Sequence, residues 1–216
     1  MTTLLDERFL DAKLLTNEWA FRKPADPVAA KSKNWDVTSG SLYQTRLGAW
    51  SGVPDGVSPD VYSSNGTGSA VFRMVSKQVY QRPIRITVDI ENVGLTSTSR
   101  TPPVAWDGLH IFCGYQDPDN LCAVTFSRRD NVVIIKKKKS GMYTEVSATN
   151  PHAASYGESR RYMIEIGSWI SLFAYTGAGL GVLLTQSSDQ DFQSGKVGLR
   201  ADNCEFLLSR FKVEAW

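Results

Sequence analysis

The sequence is short of the features that mark membrane-spanning, secreted and nucleic-acid-binding proteins. It has no apolar run of the roughly 18 residues that a membrane span needs. Its start, MTTLLDER, has neither the basic residues nor the long apolar core of a signal peptide. The formal net charge is only +2, too small to attract nucleic acid or a membrane. We therefore expect a protein made in the cytoplasm without a signal peptide, with no membrane span and no nucleic-acid partner.

Cysteine is also scarce. The three cysteines, Cys113, Cys122 and Cys204, form an odd set without the spacing of a metal site. A bridge between Cys113 and Cys122 is geometrically conceivable, because both fall on adjacent strands of the meander described below. The favoured interpretation is that all three are small buried hydrophobic residues.

Sustained helical periodicity is missing as well. Residues 4–15 (LLDERFLDAKLL) have a short amphipathic helical pattern, although residues 5–9 fit an extended opening strand equally well. Elsewhere the pattern is that of strands, as in residues 84–91, where Ile or Val alternates with polar residues. About a dozen strands are expected, with no linker between them. We predict an all-β protein with an N-terminal extension or first strand in residues 1–34 and one antiparallel β-sandwich domain in residues 35–216.

The clearest fold signal is a meander between Trp106 and Lys139. It predicts three strands, at residues 109–115, 121–127 and 132–138, joined by turns rich in Asp, Asn and Pro. The lysine run at residues 136–139 resembles a nucleic-acid patch. Consecutive lysines on a strand point to opposite faces, however, and lysine commonly guards an exposed edge, so an edge strand is the favoured interpretation.

Four stretches carry a family resemblance: WDVTSGSL, DGLHIFCGYQDPDNLCAV, RRYMIEIGSWISLFAY, and QDFQSGKVGLR ahead of FLLSRFKV. In their spacing and strand order, over about residues 35–213, they resemble the concanavalin A-like lectin/glucanase superfamily, in particular laminin G-like modules of bacterial and phage proteins. This resemblance implies an antiparallel jelly-roll β-sandwich of two curved sheets whose concave face or rim loops commonly hold glycans.

The same resemblance bears on metal binding. In calcium-binding members, acidic residues of the first and last strands help to hold the ion. Many relatives have an aspartate in the last strand where this chain has Ser209, so the resemblance implies no calcium or other cofactor here. Asp6 or Glu7, together with backbone carbonyl groups, are the remaining candidate ligands for calcium.

Catalytic patterns are few. Retaining glycosidases of this fold use E-x-D-x-x-E on one strand, which places three carboxylates on one face, and this spacing is absent from the sequence. Polysaccharide lyases of this fold use Arg, His and Tyr, with amide groups, to move protons and neutralise a uronate. The matching candidates here are His110, Arg128 and Tyr143. His110 also fits a structural role, and strand alternation places Tyr115 on the opposite face from it.

Sugar binding calls for an aromatic plate that stacks on the pyranose ring, with planar polar groups that bond its hydroxyls. The candidates are Trp50, Tyr62, Trp106, His110 and Arg128. Trp50 and Tyr62 lie in residues 48–69, whose Gly, Ser, Pro and Asp content predicts a long exposed loop. The alternative is that these rings cap the ends of the sandwich. Trp35 and Trp169 are expected in the core.

Two functions remain open. The first is a non-catalytic glycan-binding or structural sandwich, which the resemblance places in a phage minor tail or tail tip, where it acts in host-surface adhesion or tail assembly. Its partners would be a cell-surface or polymeric glycan and other virion proteins, within an oligomeric assembly. Its location would be the virion tail, or outside the cell after release. The second function is a glycan-cleaving enzyme of the same fold, a polysaccharide lyase or a glycoside hydrolase.

Overall fold

The computed structural model describes residues 1–9, 14–16, 32–40, 42–51, 71–97, 102–149, 156–175, 179 and 181–216. Within these ranges every regular element is a β-strand, so the all-β prediction is confirmed. The same ranges contain no helix of the length and apolar character needed to cross a membrane.

The described ranges form 17 strands. In chain order they are β1 (Thr2–Glu7), β2 (Leu14–Thr16), β3 (Trp35–Ser39), β4 (Leu42–Thr45), β5 (Gly48–Trp50), β6 (Val71–Ser76), β7 (Tyr80–Gln81), β8 (Ile84–Leu95), β9 (Gly108–Tyr115), β10 (Leu121–Phe126), β11 (Val133–Lys139), β12 (Met142–Thr149), β13 (Ser159–Ile166), β14 (Ile170–Tyr175), β15 (Gly181–Ser187), β16 (Ser194–Asp202) and β17 (Cys204–Ala215).

These strands build two antiparallel sheets. Sheet I has nine strands in the order β15-β14-β13-β8-β17-β5-β4-β2, with β1 paired to β17. Sheet II has eight strands in the order β12-β11-β10-β9-β16-β6-β3, with β7 paired to β16. The predicted antiparallel sandwich is therefore confirmed. The first strand of the chain belongs to sheet I, so residues 2–7 adopt the extended alternative and the helical interpretation is wrong there.

The core lies between the sheets and follows from strand alternation. In β8, Ile86, Val88 and Ile90 point inward and are almost completely buried, while the residues between them are partly exposed. In sheet II, Ile111 and Val124 belong to the same apolar cluster, so the two sheets share one core. Each buried aliphatic side chain of this kind stabilises the fold by roughly 1.5–3 kcal/mol.

Aromatic rings fill the larger spaces of the core. Phe126 of β10 stacks on Tyr162 of β13 with ring centroids 3.9 Å apart. Trp35 of β3 meets Phe211 of β17 edge-on at 4.9 Å, and the prediction that Trp35 is a core residue is confirmed. Trp169 was expected in the core as well, but it is 51% exposed because it lies in the hairpin turn between β13 and β14.

The predicted meander is confirmed as β9, β10 and β11, but the edge assignment is wrong. The strand at the edge is β12, which pairs with β11 along its length, so the lysine run lies one strand further in. The lysines do alternate as predicted. Lys136 and Lys138 lie over the ring of Tyr143, whereas Lys137 bonds Asp191 at 2.8 Å on the other side.

Two further expectations are settled by burial. All three cysteines are free and buried, as the favoured interpretation predicted, and the Sγ atoms of Cys113 and Cys122 lie 3.1 Å apart. Residues 48–50 form β5 rather than part of an exposed loop, and Ser51 is also buried. Residues 52–69 of the predicted loop lie outside the described residues.

Candidate functional site

The side chains of sheet II that point away from the core form a second, separate surface, here called the outer face. Paired residues of neighbouring strands share a face, so the register identifies its members. Its apolar part is a cluster of five buried residues: Val75, Phe112, Tyr115, Leu121 and Ala123. Burial on both sides of β10 agrees with the sequence, in which neither face of this strand is polar.

Tyr115 belongs to this cluster, which corrects the prediction that it lies on the opposite face from His110. Its ring centroid is 5.1 Å from that of Phe112, two residues beyond His110 on the same face. The reason is a register shift between Lys196 and Val197 of the neighbouring strand, which interrupts strict alternation at the end of β9.

Beside the apolar cluster runs a polar row across four strands. The register sets Thr125 of β10 opposite His110 of β9, His110 opposite Arg200 of β16, and Arg200 opposite Arg73 of β6. Thr125 and His110 are 0% and 1% exposed. The hydroxyl of Thr125 and both ring nitrogens of His110 form no hydrogen bond with the described residues. Buried polar groups are normally satisfied, so this row is an unusual feature of the outer face.

Asp202, next to this row, fixes the electrostatics of His110. Its Oδ2 lies 3.1 Å from Nε2 of His110, off the hydrogen-bonding direction, and its Oδ1 accepts a 2.7 Å hydrogen bond from Nε of Arg200. Burial lowers the pKa of His110 to about 4; Lys136 and Arg200 act in the same direction, and Asp202 acts against them. Burial acts to raise the pKa of Asp202, but Arg200 and His110 hold it well below its ordinary value. At neutral pH the imidazole is neutral and the carboxylate is charged.

Lys136 lies at the other side of the polar row, near the edge of the sheet. Its Nζ is 5.1 Å from the ring centroid of Tyr143, which is 50% exposed. Burial lowers the pKa of Lys136 to about 8, and the nearby guanidinium groups of Arg200 and Arg128 act in the same direction. No carboxylate of the described residues lies within ion-pair distance of this lysine, although Asp202 acts on it at longer range.

The turn after β10 and the segment before β9 border the outer face at one end. Arg128 is buried there with its guanidinium paired to the carboxylate of Asp130. The backbone N–H of Asp130 donates to the carbonyl of Ala105 at 3.1 Å, which ties this turn to the neighbouring Trp106, 55% exposed. An exposed tryptophan and a buried arginine thus lie on two segments that are bonded to each other.

The structure therefore brings together some of the predicted site residues and separates others. His110, Arg128 and Tyr143 converge around Lys136, although neither Arg128 nor Tyr143 is hydrogen-bonded to His110. Trp50 follows the core residue Ala49 in sheet I, so alternation places it on the far side of the sandwich. Tyr62 lies outside the described residues. The sequence reasoning missed five members of the surface: Arg73, Thr125, Lys136, Arg200 and Asp202.

The donor set proposed for calcium does not fit a cation. Both carboxylate oxygens of Asp6 accept hydrogen bonds from Arg210, at 2.7 and 2.8 Å. These bonds lower the pKa of Asp6, which shows that its charge is already matched by a protein group. Glu7 is bonded to Asn34 at 2.9 Å. A metal ion would have to displace these partners.

The outer face also differs from the active site of a glycosidase. The outer positions of sheet II include three carboxylates on separate strands: Asp202 of β16, Glu145 of β12 opposite Lys136, and Asp36 of β3 opposite Val75. Hydrolysis of a glycosidic bond uses two carboxyl groups, one with a raised pKa that acts as the acid. Asp202, the carboxylate buried beside His110, has a lowered pKa and stays ionised, so it does not supply that acid.

No protein-family model and no curated protein matches the sequence, but solved structures do. Carbohydrate binding module CBM66 from Bacillus subtilis matches with a TM-score of 0.60 at 12% identity, over 84% of this chain and 95% of that chain. The exoplasmic/lumenal domain of VIP36, in a Ca2+/Man3GlcNAc-bound form, matches with 0.59 at 10% identity, over 84% and 83%. Bacillus licheniformis beta-glucanase matches with 0.57 at 11% identity, over 100% and 99%.

These neighbours are all concanavalin A-like jelly-roll proteins, so the chain has the concanavalin A-like jelly-roll fold that the sequence resemblance implied. Identities of 10–12% carry the likeness no further than the fold. The same fold serves a carbohydrate-binding module, a lectin domain bound to a mannose oligosaccharide and a glucanase, so the choice between binding and catalysis depends on the residues of this chain.

Proposed function

We propose that this protein is a non-catalytic glycan-binding β-sandwich whose binding surface is the outer face of sheet II. One observation carries the proposal. The outer face carries the partly exposed side chains of Arg200 and Lys136, and the exposed ring of Tyr143 lies 5.1 Å from Nζ of Lys136. Sugar recognition needs both features, polar groups that bond hydroxyls and rings that stack on the pyranose face.

The chemistry of the surface favours binding over cleavage. A lyase base must accept a proton near neutral pH, whereas the pKa of His110 is lowered to about 4 and the imidazole is 1% exposed. Asp202, the carboxylate beside His110, stays ionised and so cannot be the proton donor of a hydrolase. Neither group is therefore in the ionisation state that general acid–base cleavage needs, which favours binding.

We further propose that this binding serves adhesion at a host-cell surface, as a minor component of a phage tail or tail tip. The support for this part is the resemblance of residues 35–213 to laminin G-like modules of phage proteins. A sandwich with one binding face fits such a role, because several copies in one assembly would multiply a weak affinity for a repeating polymer.

Glycan-array binding followed by titration of the best ligand tests the proposal, using single alanine substitutions. Tyr143→Ala and Trp106→Ala should each weaken binding by about tenfold, the usual loss when a stacking ring is removed. Trp169→Ala is the matched control, because this tryptophan is equally exposed but lies in the β13–β14 turn, at the opposite end of the sandwich from Trp106. It should bind like the unmodified protein.

Two results would overturn the proposal. The first is a protein that binds no glycan on the array while remaining folded. The second is release of unsaturated, ultraviolet-absorbing oligosaccharides from a uronate polymer, abolished by His110→Ala, which would make the protein a lyase.

A further inference from the structure

We propose that the glycan bound at the outer face is acidic, and that Arg73, Arg200 and Lys136 hold its carboxylate or sulfate group. This inference rests on the proposed glycan-binding function and adds the charge class of the ligand. The observations behind it are an unfavourable pairing of cations, Arg73 with Arg200, and a half-buried lysine, Lys136, that forms no ion pair with a described carboxylate.

The pairing of cations is between Arg73 and Arg200. They face each other directly across β6 and β16, and alternation places both on the outer face. Like charges in directly opposed positions of a sheet destabilise it. Asp202 offsets one of these charges through its bond to Arg200, and Arg73 forms no ion pair with a described carboxylate. An anionic ligand between the two guanidinium groups would offset the other.

The hydrogen-bonding groups of these arginines suit such a ligand. Among the described residues, Arg200 donates from Nε to Asp202 and Arg73 donates from Nε to the hydroxyl of Thr38, each at 2.7 Å. Their terminal amino groups remain for a further partner. A guanidinium presents a planar fork of donors that matches the two oxygens of a carboxylate or sulfate.

Lys136 adds a third positive charge to the same surface. It is half-buried and forms no ion pair within the described residues, and burial, with smaller effects of Arg200 and Arg128, lowers its pKa to about 8. Partial burial of a cation without a close ion-pair partner costs stability, and a bound anion would reduce that cost. Its two strand neighbours, Lys137 and Lys138, by contrast each form an ion pair with an aspartate.

The test compares three polymers of similar length: polygalacturonate, dextran sulfate and dextran. Binding is measured by affinity electrophoresis or titration calorimetry with the unmodified protein and with Lys136→Gln, Arg73→Gln and Lys139→Gln. Lys139→Gln is the matched control, because it removes the same charge from the same strand, but Lys139 is exposed and points to the opposite face. Thermal unfolding of each variant confirms that it is folded.

We expect at least one acidic polymer to bind about tenfold or more tightly than dextran, since charge-assisted hydrogen bonds are roughly twice as strong as neutral ones. Lys136→Gln and Arg73→Gln should each weaken that binding by about five- to tenfold, and Lys139→Gln by less than about twofold. A preference for polygalacturonate identifies a carboxylate as the recognised group, and one for dextran sulfate identifies a sulfate.

Contrary outcomes separate this inference from the function it rests on. If a neutral glycan binds as tightly as the acidic polymers, and neither Lys136→Gln nor Arg73→Gln weakens it, the inference is wrong and glycan binding stands. If Lys139→Gln lost as much affinity for the acidic polymer as the other two variants, the binding would be non-specific charge attraction, and the inference would also be wrong. A folded protein that binds neither these polymers nor any glycan of the array would overturn both proposals.

Discussion

The carboxylate of Asp202 lies 3.1 Å from the imidazole of His110, and the protein buries both groups on the outer face of sheet II. The contact joins neighbouring strands, β16 and β9, and the carboxylate is also bonded to Arg200. Burial nevertheless outweighs the carboxylate and keeps the imidazole neutral, with a pKa of about 4. The folded protein thus resists protonation of His110, and its free energy of unfolding therefore depends on pH.

We expect stability to fall as the pH is lowered from about 6.5 to about 4. In this window the unfolded chain protonates His110, whose ordinary pKa is 6.5, while the folded protein does not until about pH 4. The loss should be on the order of 2–3 kcal/mol. Asp202, with its lowered pKa, loses its stabilising contribution only below its ordinary value of 3.8, so the two windows are separate.

Urea unfolding at pH 7, 5 and 4 measures this effect. His110→Gln keeps a polar side chain that does not titrate, so its stability should change less over the same interval. Identical slopes for the variant and the unmodified protein would show that His110 is not the group responsible.

Affinity for an acidic glycan should fall as the pH rises from 7 to 9. Lys136 carries the titrating charge, because burial lowers its pKa to about 8 and its proton is lost within this interval. The charged groups that face it are Asp202, Arg200, Arg128 and, opposite it on β12, Glu145. Asp202 remains ionised over this interval, and Asp202 raises the pKa of Arg200 against the effect of burial. Calorimetric titration with polygalacturonate or dextran sulfate, whichever binds, at pH 7, 8 and 9 checks this. Lys136→Gln should bind weakly at all three, and a parallel decline in that variant would assign the effect to another group.

Strand alternation predicted much of the fold, because burial on one side of a sheet leaves a period of two in the sequence. It located β8 and the meander, and it distinguished the inward face of Cys122, Val124 and Phe126. It failed at β12, whose residues are mostly exposed on both sides and so carry no alternation. Because β12 was not predicted, the lysine run was interpreted as an edge strand, and Lys136 was not recognised as a site residue.

The polar row was beyond the sequence for a different reason. Arg73, Thr125 and Arg200 come from strands far apart in the chain, and only the register of β6, β16, β9 and β10 sets them side by side. Each residue alone is an ordinary polar position of a strand. The sequence identified His110 because histidine is rare in this chain, and its neighbours had no such distinction.

Gly198→Ala should destabilise the protein strongly. Gly198 lies in β16 where β6 approaches closely, and a Cβ atom there would collide with the main-chain carbonyl of Met74. Because backbone rather than a flexible side chain is in the way, the strands would have to separate, at a cost of about 1–3 kcal/mol or more. Gly94→Ala is the control, since its Cβ would meet nothing within 4 Å. Chemical unfolding should show a clear loss for the first variant and little change for the second, and equal stabilities would contradict the close approach.

The three thiols should be unreactive in the folded protein. Cys113, Cys122 and Cys204 are all buried, and thiol reagents attack the accessible thiolate form. The hydrogen bond that Cys122 shares with Cys113, together with burial, raises the pKa of Cys122, while burial raises that of Cys204. An aromatic disulfide reagent at pH 8 should therefore label none of them within minutes, and all three after unfolding in guanidinium chloride.

The Sγ atoms of Cys113 and Cys122 are 3.1 Å apart, longer than a disulfide bond of about 2.05 Å. Finding a single thiol in the unfolded, unreduced protein would show instead that these two cysteines are oxidised to a bridge, and rapid labelling of the native protein would show that the core around them is open.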